Sequence, residues 1–222
     1  MTDLHTHILP GMDDGAADLE QSLAMLRAER RQGVDTVVLT PHFYRVDETV
    51  ESFLDRRARA WETLQRGLPA DAPKLILGAE VTWYHGIMDE PRITDLRLGD
   101  SPCILLEMPL RSWSDTLLEQ VYQFAGVTGT TPILAHVERY LHLQKKGQLK
   151  TLIEMGIPMQ ISASAFRNPI AATKANRLLK SGTWLLGTDC HNTNTRPPNY
   201  GPAAAYIKKH AFNPDAILNW HP

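Results

Sequence analysis

The stretch Val34-Asp35-Thr36-Val37-Val38-Leu39-Thr40-Pro41-His42 is a continuous run of β-branched and apolar residues that stops at Pro-His. Its length and composition are those of a strand buried on both faces, as in a parallel sheet covered by helices. The flanking segments are helical by pattern. Upstream, residues 17–32 put Leu19, Leu23 and Leu26 at i, i+4 and i+7, with Asp18 and Gln21 as a capping pair and Gly33 as the stop. Downstream, residues 47–66 are charged and helical. The same unit recurs along the chain. Further strands are read at 74–81, 103–108, 132–136, 158–163 and 183–189. Helices are read after Ser114 (carrying Leu117, Val121 and Phe124), around 145–155, near 170–181, and in the tail around 201–210 and 214–219. Strand and helix thus alternate about seven times. Within 222 residues this predicts one domain spanning 1–222. Its class is α/β, a distorted (β/α)7-type barrel. No G-x-G-x-x-G or G-x-x-x-x-G-K motif favours an open doubly wound sheet.

The chain opens with Asp3-Leu4-His5-Thr6-His7, followed by Ile8-Leu9-Pro10-Gly11-Met12-Asp13-Asp14-Gly15. Two histidines one residue apart project to the same side of an extended segment and make a pincer for a cation. Pro-Gly and Asp-Gly are turn signals, so a short first strand is followed by a loop that carries more carboxylate.

Every strand but one ends in a group that can ligate a metal. The ends carry His5 and His7, then His42, Glu80, Glu107, His136, and finally Asp189 and His191. The exception, at 158–163, ends in serines. In a β/α barrel the C-terminal strand ends face one mouth, where the active site is built. Any one of these histidines alone is better read as a core or capping residue; their joint placement is the signal. His85, His142, His210 and His221 have no such placement and are read as surface or capping residues.

Bulk composition narrows the function. The chain is 43% hydrophobic and 22% charged, with a net charge of -2, which excludes nucleic-acid binding through a broad basic surface. No apolar run is long enough to span a bilayer, and the polar N-terminus does not read as a signal peptide. The two cysteines, Cys103 and Cys190, form neither a disulfide framework nor a C-x-x-C site, so the expected compartment is the reducing cytoplasm.

Imidazole with carboxylate and no thiolate suits zinc, manganese or iron. With Asp14 from the first loop the candidates are His5, His7, Asp14, His42, Glu80, Glu107, His136, Asp189 and His191. That set exceeds one tetrahedral ion and fits two or three, bridged by a carboxylate such as Glu80 or Glu107. Clustered divalent ions about 3.5–4 Å apart, bridged by hydroxide, are suited to phosphoester hydrolysis. Arg139, three residues past His136, is placed to take the outer phosphate oxygens through its planar fork, and Arg196 is a second candidate.

These residues resemble a known family. The His-x-His start, Thr40-Pro41-His42, Gly78-Ala79-Glu80, Leu106-Glu107-Met108-Pro109, Ala135-His136-Val137-Glu138-Arg139-Tyr140 and Gly187-Thr188-Asp189-Cys190-His191 with Arg196-Pro197-Pro198 are similar to the PHP (polymerase and histidinol phosphatase) superfamily. Within it the chain looks like the bacterial metal-dependent protein-tyrosine phosphatases of capsule and exopolysaccharide loci, a likeness covering essentially the whole chain. The Leu9-Pro10-Gly11-Met12-Asp13-Asp14-Gly15 segment is the part most specific to that branch. The resemblance implies a trinuclear, often manganese, centre, with iron, zinc, cobalt and magnesium as alternatives. It implies that His5, His7, Glu80 and Asp189 hold one ion, that Glu80, Glu107 and His136 hold a second, and that Asp14, His42 and His191 hold a third. It implies Arg139 on the phosphate, and a membrane-anchored bacterial tyrosine kinase of the polysaccharide co-polymerase type as phosphotyrosine substrate. Val137 stands where the family usually has proline, and Phe43 and Thr82 stand where more polar residues are expected.

Two other functions fit less of the pattern. One is a small-molecule phosphomonoesterase of the same fold, acting on a substrate such as histidinol phosphate. The other is a non-catalytic, metal-stabilised binding module. Cys190 and Arg196 also have the spacing of a cysteine-based phosphatase loop. That loop needs backbone N–H groups wrapped round phosphate, whereas here it lacks glycine and Pro197-Pro198 removes two donors. Trp83, Tyr84, Phe43 and Tyr44 follow strand ends and are candidates for an aromatic pocket. The oligomeric state is not legible.

Overall fold

The structure, a computed structural model, describes residues 1–145, 147–166, 182–201 and 203–205. The helices expected near 170–181 and 214–219, most of the one around 201–210, and His210 and His221 lie outside the described residues.

Among the described residues, nine parallel strand segments are interspersed with helices: β1 (Thr2–Thr6), β2 (Thr36–Leu39), β3 (His42–Phe43), β4 (Lys74–Leu77), β5 (Glu80–Thr82), β6 (Cys103–Glu107), β7 (Thr131–Leu134), β8 (Met159–Ser162) and β9 (Trp184–Gly187). Two ladders form, β1-β2-β4 and β3-β5-β6-β7-β8-β9. They are pieces of one arrangement. Pro41 has no N–H to donate, and the chain breaks there between β2 and β3. β4 and β5 are likewise separated by Gly78 and Ala79. Hydrogen bonds Gly78 N→Leu39 O (2.8 Å) and Glu80 N→Pro41 O (3.0 Å) carry the pairing across the breaks. At the far edge, Asp189 N donates to His5 O (2.8 Å) and His7 N to Cys190 O (2.9 Å), joining β1 to the segment after β9. Backbone pairing therefore runs round seven strands, the distorted β/α barrel expected from the alternation.

The barrel interior below the mouth holds Leu4, Val38, Cys103, Leu105, Ile133, Ala135 and Leu185, all essentially inaccessible. The opposite strand faces carry Val37, Leu39, Ile104, Leu106, Leu134, Met159, Ile161 and Leu186, which pack with the helices in the larger core. Both faces are apolar because both are covered, which is why these strands read as continuous hydrophobic runs.

The helices start where capping chemistry places them. Asp18 accepts from Gln21 N (2.8 Å) to open α1 (Leu19–Arg31), and Gln21 Oε1 accepts in return from Ala17 N (2.7 Å). Its deepest face is Ser22, Met25, Leu26 and Glu29. Leu19 and Leu23 are only partly buried, because that edge packs beside α2, next to Gly67. Thr49 caps α2 (Val50–Gln65), and Ser114 accepts from Leu117 N (3.1 Å) to cap α3 (Asp115–Thr128), whose buried stripe includes Leu117, Val121 and Phe124. A short α4 spans Gln148–Glu154. Each fully buried Leu or Phe stabilises this packing by about 1.5–3 kcal/mol. No described helix is long and apolar enough to cross a membrane.

Candidate metal centre

All nine candidate ligands meet at the mouth. His5 Nε2 and His7 Nε2 are 3.1 Å apart, at the end of β1. His5 Nε2 lies 3.1 Å from Glu80 Oε2 and 3.5 Å from Asp189 Oδ1; His7 Nε2 lies 3.4 and 3.3 Å from the same two oxygens. On one side of this group, His136 Nε2 is 2.8 Å from Glu80 Oε1 and 3.7 Å from Glu107 Oε1. On the other, Asp14 Oδ1 is 3.2 Å from His191 Nε2 and 3.5 Å from His42 Nε2. His42 also turns Nδ1 to within 2.9 Å of Glu80 Oε2. Glu80 sits in the middle, completely buried, with imidazoles on both of its oxygens.

The strand ends are not sufficient for this geometry. His136 and Asp189 adopt left-handed backbone (φ 30 and 55), a conformation costing non-glycine residues energy and concentrated at functional sites. Gly15 and Gly187 allow two close approaches. A Cβ on Gly15 would meet His7 O at 2.1 Å, and one on Gly187 would meet His5 Cβ at 2.5 Å.

A surrounding layer of side chains orients the imidazoles. Asp13 Oδ2 lies 2.7 Å from His7 Nδ1 and also accepts from His42 N (2.8 Å). Gln160 Oε1 lies 3.1 Å from His5 Nδ1 and accepts from His136 N (2.6 Å). Asp189 O is 3.1 Å from His191 Nδ1. With Nδ1–H donating in each case, Nε2 of His5, His7 and His191 carries the lone pair toward the cluster. Thr82 Oγ1 donates to Glu107 Oε2 at 2.7 Å. Asp13 and Gln160 were not legible as site residues. Gln160 had a signal, one amide between Met159 and Ile161 in a buried strand, and it lies in the strand that lacks a ligand at its end.

The electrostatics are those of a cluster compensating itself. Burial disfavours charge on His5, but Glu80 and Asp189 raise its pKa above the ordinary imidazole value. Burial acts the same way on His7, and Asp13, Asp189 and Glu80 together hold it well above. Burial pushes the Glu80 carboxyl up, yet His5, His136 and His42 hold it well below the usual carboxylate range. Burial is likewise outweighed at Asp189, held well below by His5, His7 and Arg139. His191 goes the other way, pushed down to about 4 by burial and by His7.

This donor set fits divalent cations. Glu80 Oε2, His42 Nδ1, His136 Nδ1 and His191 Nε2 are buried without an aligned hydrogen bond, and such orphans are costly unless a group other than the polypeptide satisfies them. Three overlapping groups have ligand atoms close enough to share an ion: His7, Asp14, His42 and His191; His5, His7 and Glu80; and His42, Glu80 and Glu107. The ligands are imidazole nitrogen and carboxylate oxygen, without thiolate.

Two arginines border the cluster. Arg139, on the short 3-10 turn Val137–Arg139, pairs with Asp189 Oδ2, and Arg196 Nη2 donates to the same oxygen at 2.7 Å. Both are partly exposed, at 40% and 38%. Tyr44 stacks on His42 (5.0 Å, 26°). Trp83 and Tyr84 line a separate cavity of about 340 Å³ with Arg111. Phe43 is not a pocket residue: it is fully buried, edge-on to Phe53, because β3 turns it into the core.

Cys190 is turned onto α1. Its Sγ lies 3.8 Å from Glu29 Oε1, in a closed cluster where Thr188 donates to Asp3 through N (2.8 Å) and Oγ1 (2.5 Å). Burial and Glu29 push its thiol well above the ordinary value, the reverse of an activated nucleophile. Cys103 lies in the barrel core.

Comparison with known proteins agrees with this architecture. The family described as "Capsular polysaccharide synthesis, CpsB/CapC" matches residues 1–216. The tyrosine-protein phosphatase YwqE of Bacillus subtilis is 32% identical over 203 residues, covering 88% of this chain and 79% of that protein. The tyrosine-protein phosphatase CpsB of Streptococcus agalactiae is 28% identical over 221 residues, covering 89% and 86%. A crystal structure from the pair YwqE of Bacillus subtilis and CpsB of Streptococcus pneumoniae, described as unique metal-dependent tyrosine phosphatases, superposes with a TM-score of 0.76. Its identity to this chain is 25%, and the match covers 99% of this chain and 92% of that one. A match over nearly the whole length, in sequence and in fold, settles the affiliation: the chain belongs to the CpsB/CapC family of capsular polysaccharide synthesis.

Proposed function

We propose that this chain is a metal-dependent protein-tyrosine phosphatase. Its substrate in this reading is phosphotyrosine on a bacterial tyrosine kinase of the polysaccharide co-polymerase type, which regulates capsule or exopolysaccharide synthesis and presents its phosphotyrosines in the cytoplasm. The observation that carries the proposal is the meeting of five imidazoles and three further carboxylates around buried Glu80, in a chain whose relatives are named tyrosine phosphatases.

His5, His7, Glu80 and Asp189 would hold one ion, Glu80, Glu107 and His136 a second, and Asp14, His42 and His191 a third, with manganese the preferred metal. When bound, such ions supply Lewis acidity and lower the pKa of water at the site. The rest is done by side chains. Asp13 and Gln160 hold His7 and His5 in the tautomer that presents Nε2. Arg139 and Arg196 sit on Asp189 Oδ2 and are exposed enough to reach a phosphate, whose outer oxygens suit a planar, doubly donating guanidinium. The phosphate displaces them in part from Asp189 and is oriented by both. Tyr44, stacked on His42, gives the entering aromatic ring an apolar edge.

The test is turnover of a phosphotyrosine peptide by the purified chain before chelation, after it, and after metal add-back. Activity lost on chelation and restored by Mn²⁺ supports the proposal; activity indifferent to chelation overturns it. A higher kcat/KM on histidinol phosphate than on the peptide would favour the small phosphomonoesterase. Bound metal without turnover of either substrate would favour the binding module.

A further inference from the structure

Asp14 is the most exposed of the nine candidate ligands, with 64% of its side chain accessible. It lies in the loop after β1, so its position depends on how that loop is held. From the inside, Asp13 does this through His7 Nδ1, His42 N and Gly15 N (2.7, 2.8 and 3.0 Å). From the outside the hold comes from α2. Arg56 Nη1 donates to Met12 O at 3.0 Å, two residues before Asp14. Arg56 is itself fixed by a two-point pair with Glu48: Nε→Oε2 at 3.1 Å and Nη2→Oε1 at 2.6 Å. Glu48 belongs to the segment leaving His42, the strand end that faces Asp14. Arg56, Glu48, Asp14 and His42 border one cavity of about 320 Å³.

We propose that Arg56, locked by Glu48, is a positioning residue that sets occupancy of the outermost cation subsite, the one formed by Asp14, His42 and His191. The inference rests on the metal reading of the mouth. The inner ligands are held by strand ends and by Gln160, and do not depend on α2. The outer subsite does, because its one loop-borne carboxylate sits in the loop that Arg56 clamps through the Met12 carbonyl; the one other cation near that carboxylate, Arg196, stands off at 3.9 Å from Asp14 Oδ2 among the described residues. The Glu48 carboxylate is needed because a guanidinium paired at two points keeps one geometry.

The test uses the full chain, stripped of metal and titrated with MnCl₂ by calorimetry, with bound metal counted by elemental analysis. Arg56→Met keeps the apolar stem and removes the donors; Glu48→Gln loosens the pair without removing Arg56. Each is expected to weaken the weakest Mn²⁺ site about tenfold, the scale of other orienting groups behind a ligand. The tighter sites stay within about twofold. Melting of the metal-free chain shifts by no more than about 4 °C. Arg56→Lys, which retains one donor for Met12 O, recovers part of the loss. Combined with Asp14→Asn, Arg56→Met adds nothing further to the loss of that site. Equal weakening of all sites, no weakening of any, or full additivity with Asp14→Asn would each overturn the proposal. A wild-type chain that binds no Mn²⁺ would overturn the metal reading itself, a different failure seen before any variant is made.

Discussion

Gln160 Oε1 lies 3.1 Å from His5 Nδ1, joining β8 to the end of β1 across 155 positions of sequence. The same oxygen accepts from His136 N at 2.6 Å, so one amide orients two candidate ligands. Gln160→Leu should therefore release the His5 tautomer without removing any ligand. The expected result is a 10- to 100-fold rise in the metal concentration needed for half-maximal activity. Metal titration of activity and calorimetry check it, and an unchanged activation curve would remove Gln160 from the site.

Gly187 allows β9 to approach β1 closely. An added Cβ would sit 2.5 Å from His5 Cβ and 3.0 Å from His5 N, so backbone must move. Gly187→Ala should destabilise the chain by roughly 1–3 kcal/mol. It should also lower metal affinity, read by urea unfolding and by metal content after dialysis. A variant with wild-type values of both would contradict the close contact.

The metal-free cluster holds protons that cations must displace. The pKa of His7 is held well above its ordinary value and that of His5 above it, so the metal-free cluster holds protons more tightly than free imidazole does, whereas bound ions need neutral imidazole. Because these folded-state pKa values are raised, lowering the pH stabilises the protonated, metal-free form and metal affinity falls. Titrations in buffers of different ionisation enthalpy should show release of on the order of one proton per chain on filling the site. Proton uptake, or none, would reverse the sign.

Arg139 and Arg196 should separate in kinetics from the metal ligands. Arg139→Ala is expected to lower kcat/KM on a phosphotyrosine peptide about 100-fold, with metal content unchanged. Arg139→Lys should restore little, since an ammonium cannot make the two-point contact. Loss of metal in Arg139→Ala would instead assign the arginine to holding Asp189.

Neither thiol should react in the folded chain. Cys103 is pushed up to about 11 by burial, and Cys190 well above its ordinary value by burial and Glu29. A thiol-reactive dye should label neither cysteine before unfolding and both after it. Cys190→Ser should keep most of the activity. Its inactivation with metals still bound would revive the cysteine-based mechanism.

Most of the architecture was legible before any coordinate. Strand and helix are local, and runs such as Val37-Val38-Leu39 or Ile104-Leu105-Leu106 announce strands covered on both faces. The candidate ligands could be picked out because a barrel places consecutive strand ends at one mouth, so a histidine or carboxylate there carries its position with it. Phe43 misled for the same reason: it follows a strand end, but the two-residue β3 continues past Pro41 and turns the ring inward. The 145–155 helix proved shorter, beginning at Gln148 after a glycine with φ of 102°.

What the sequence determined by itself is thus the repeating unit, the direction of its strands and the kind of atoms gathered at the rim, since each depends on side-chain type and short-range spacing. Only the tertiary structure decided which nitrogen each imidazole turns inward, which oxygen of Asp189 the arginines occupy, and that Asp13 and Gln160 touch the candidate ligands while Arg56 touches the loop that carries one of them. Those outcomes depend on hydrogen bonds a few ångströms long between segments far apart in the chain, and no local pattern of residues encodes where such segments will meet.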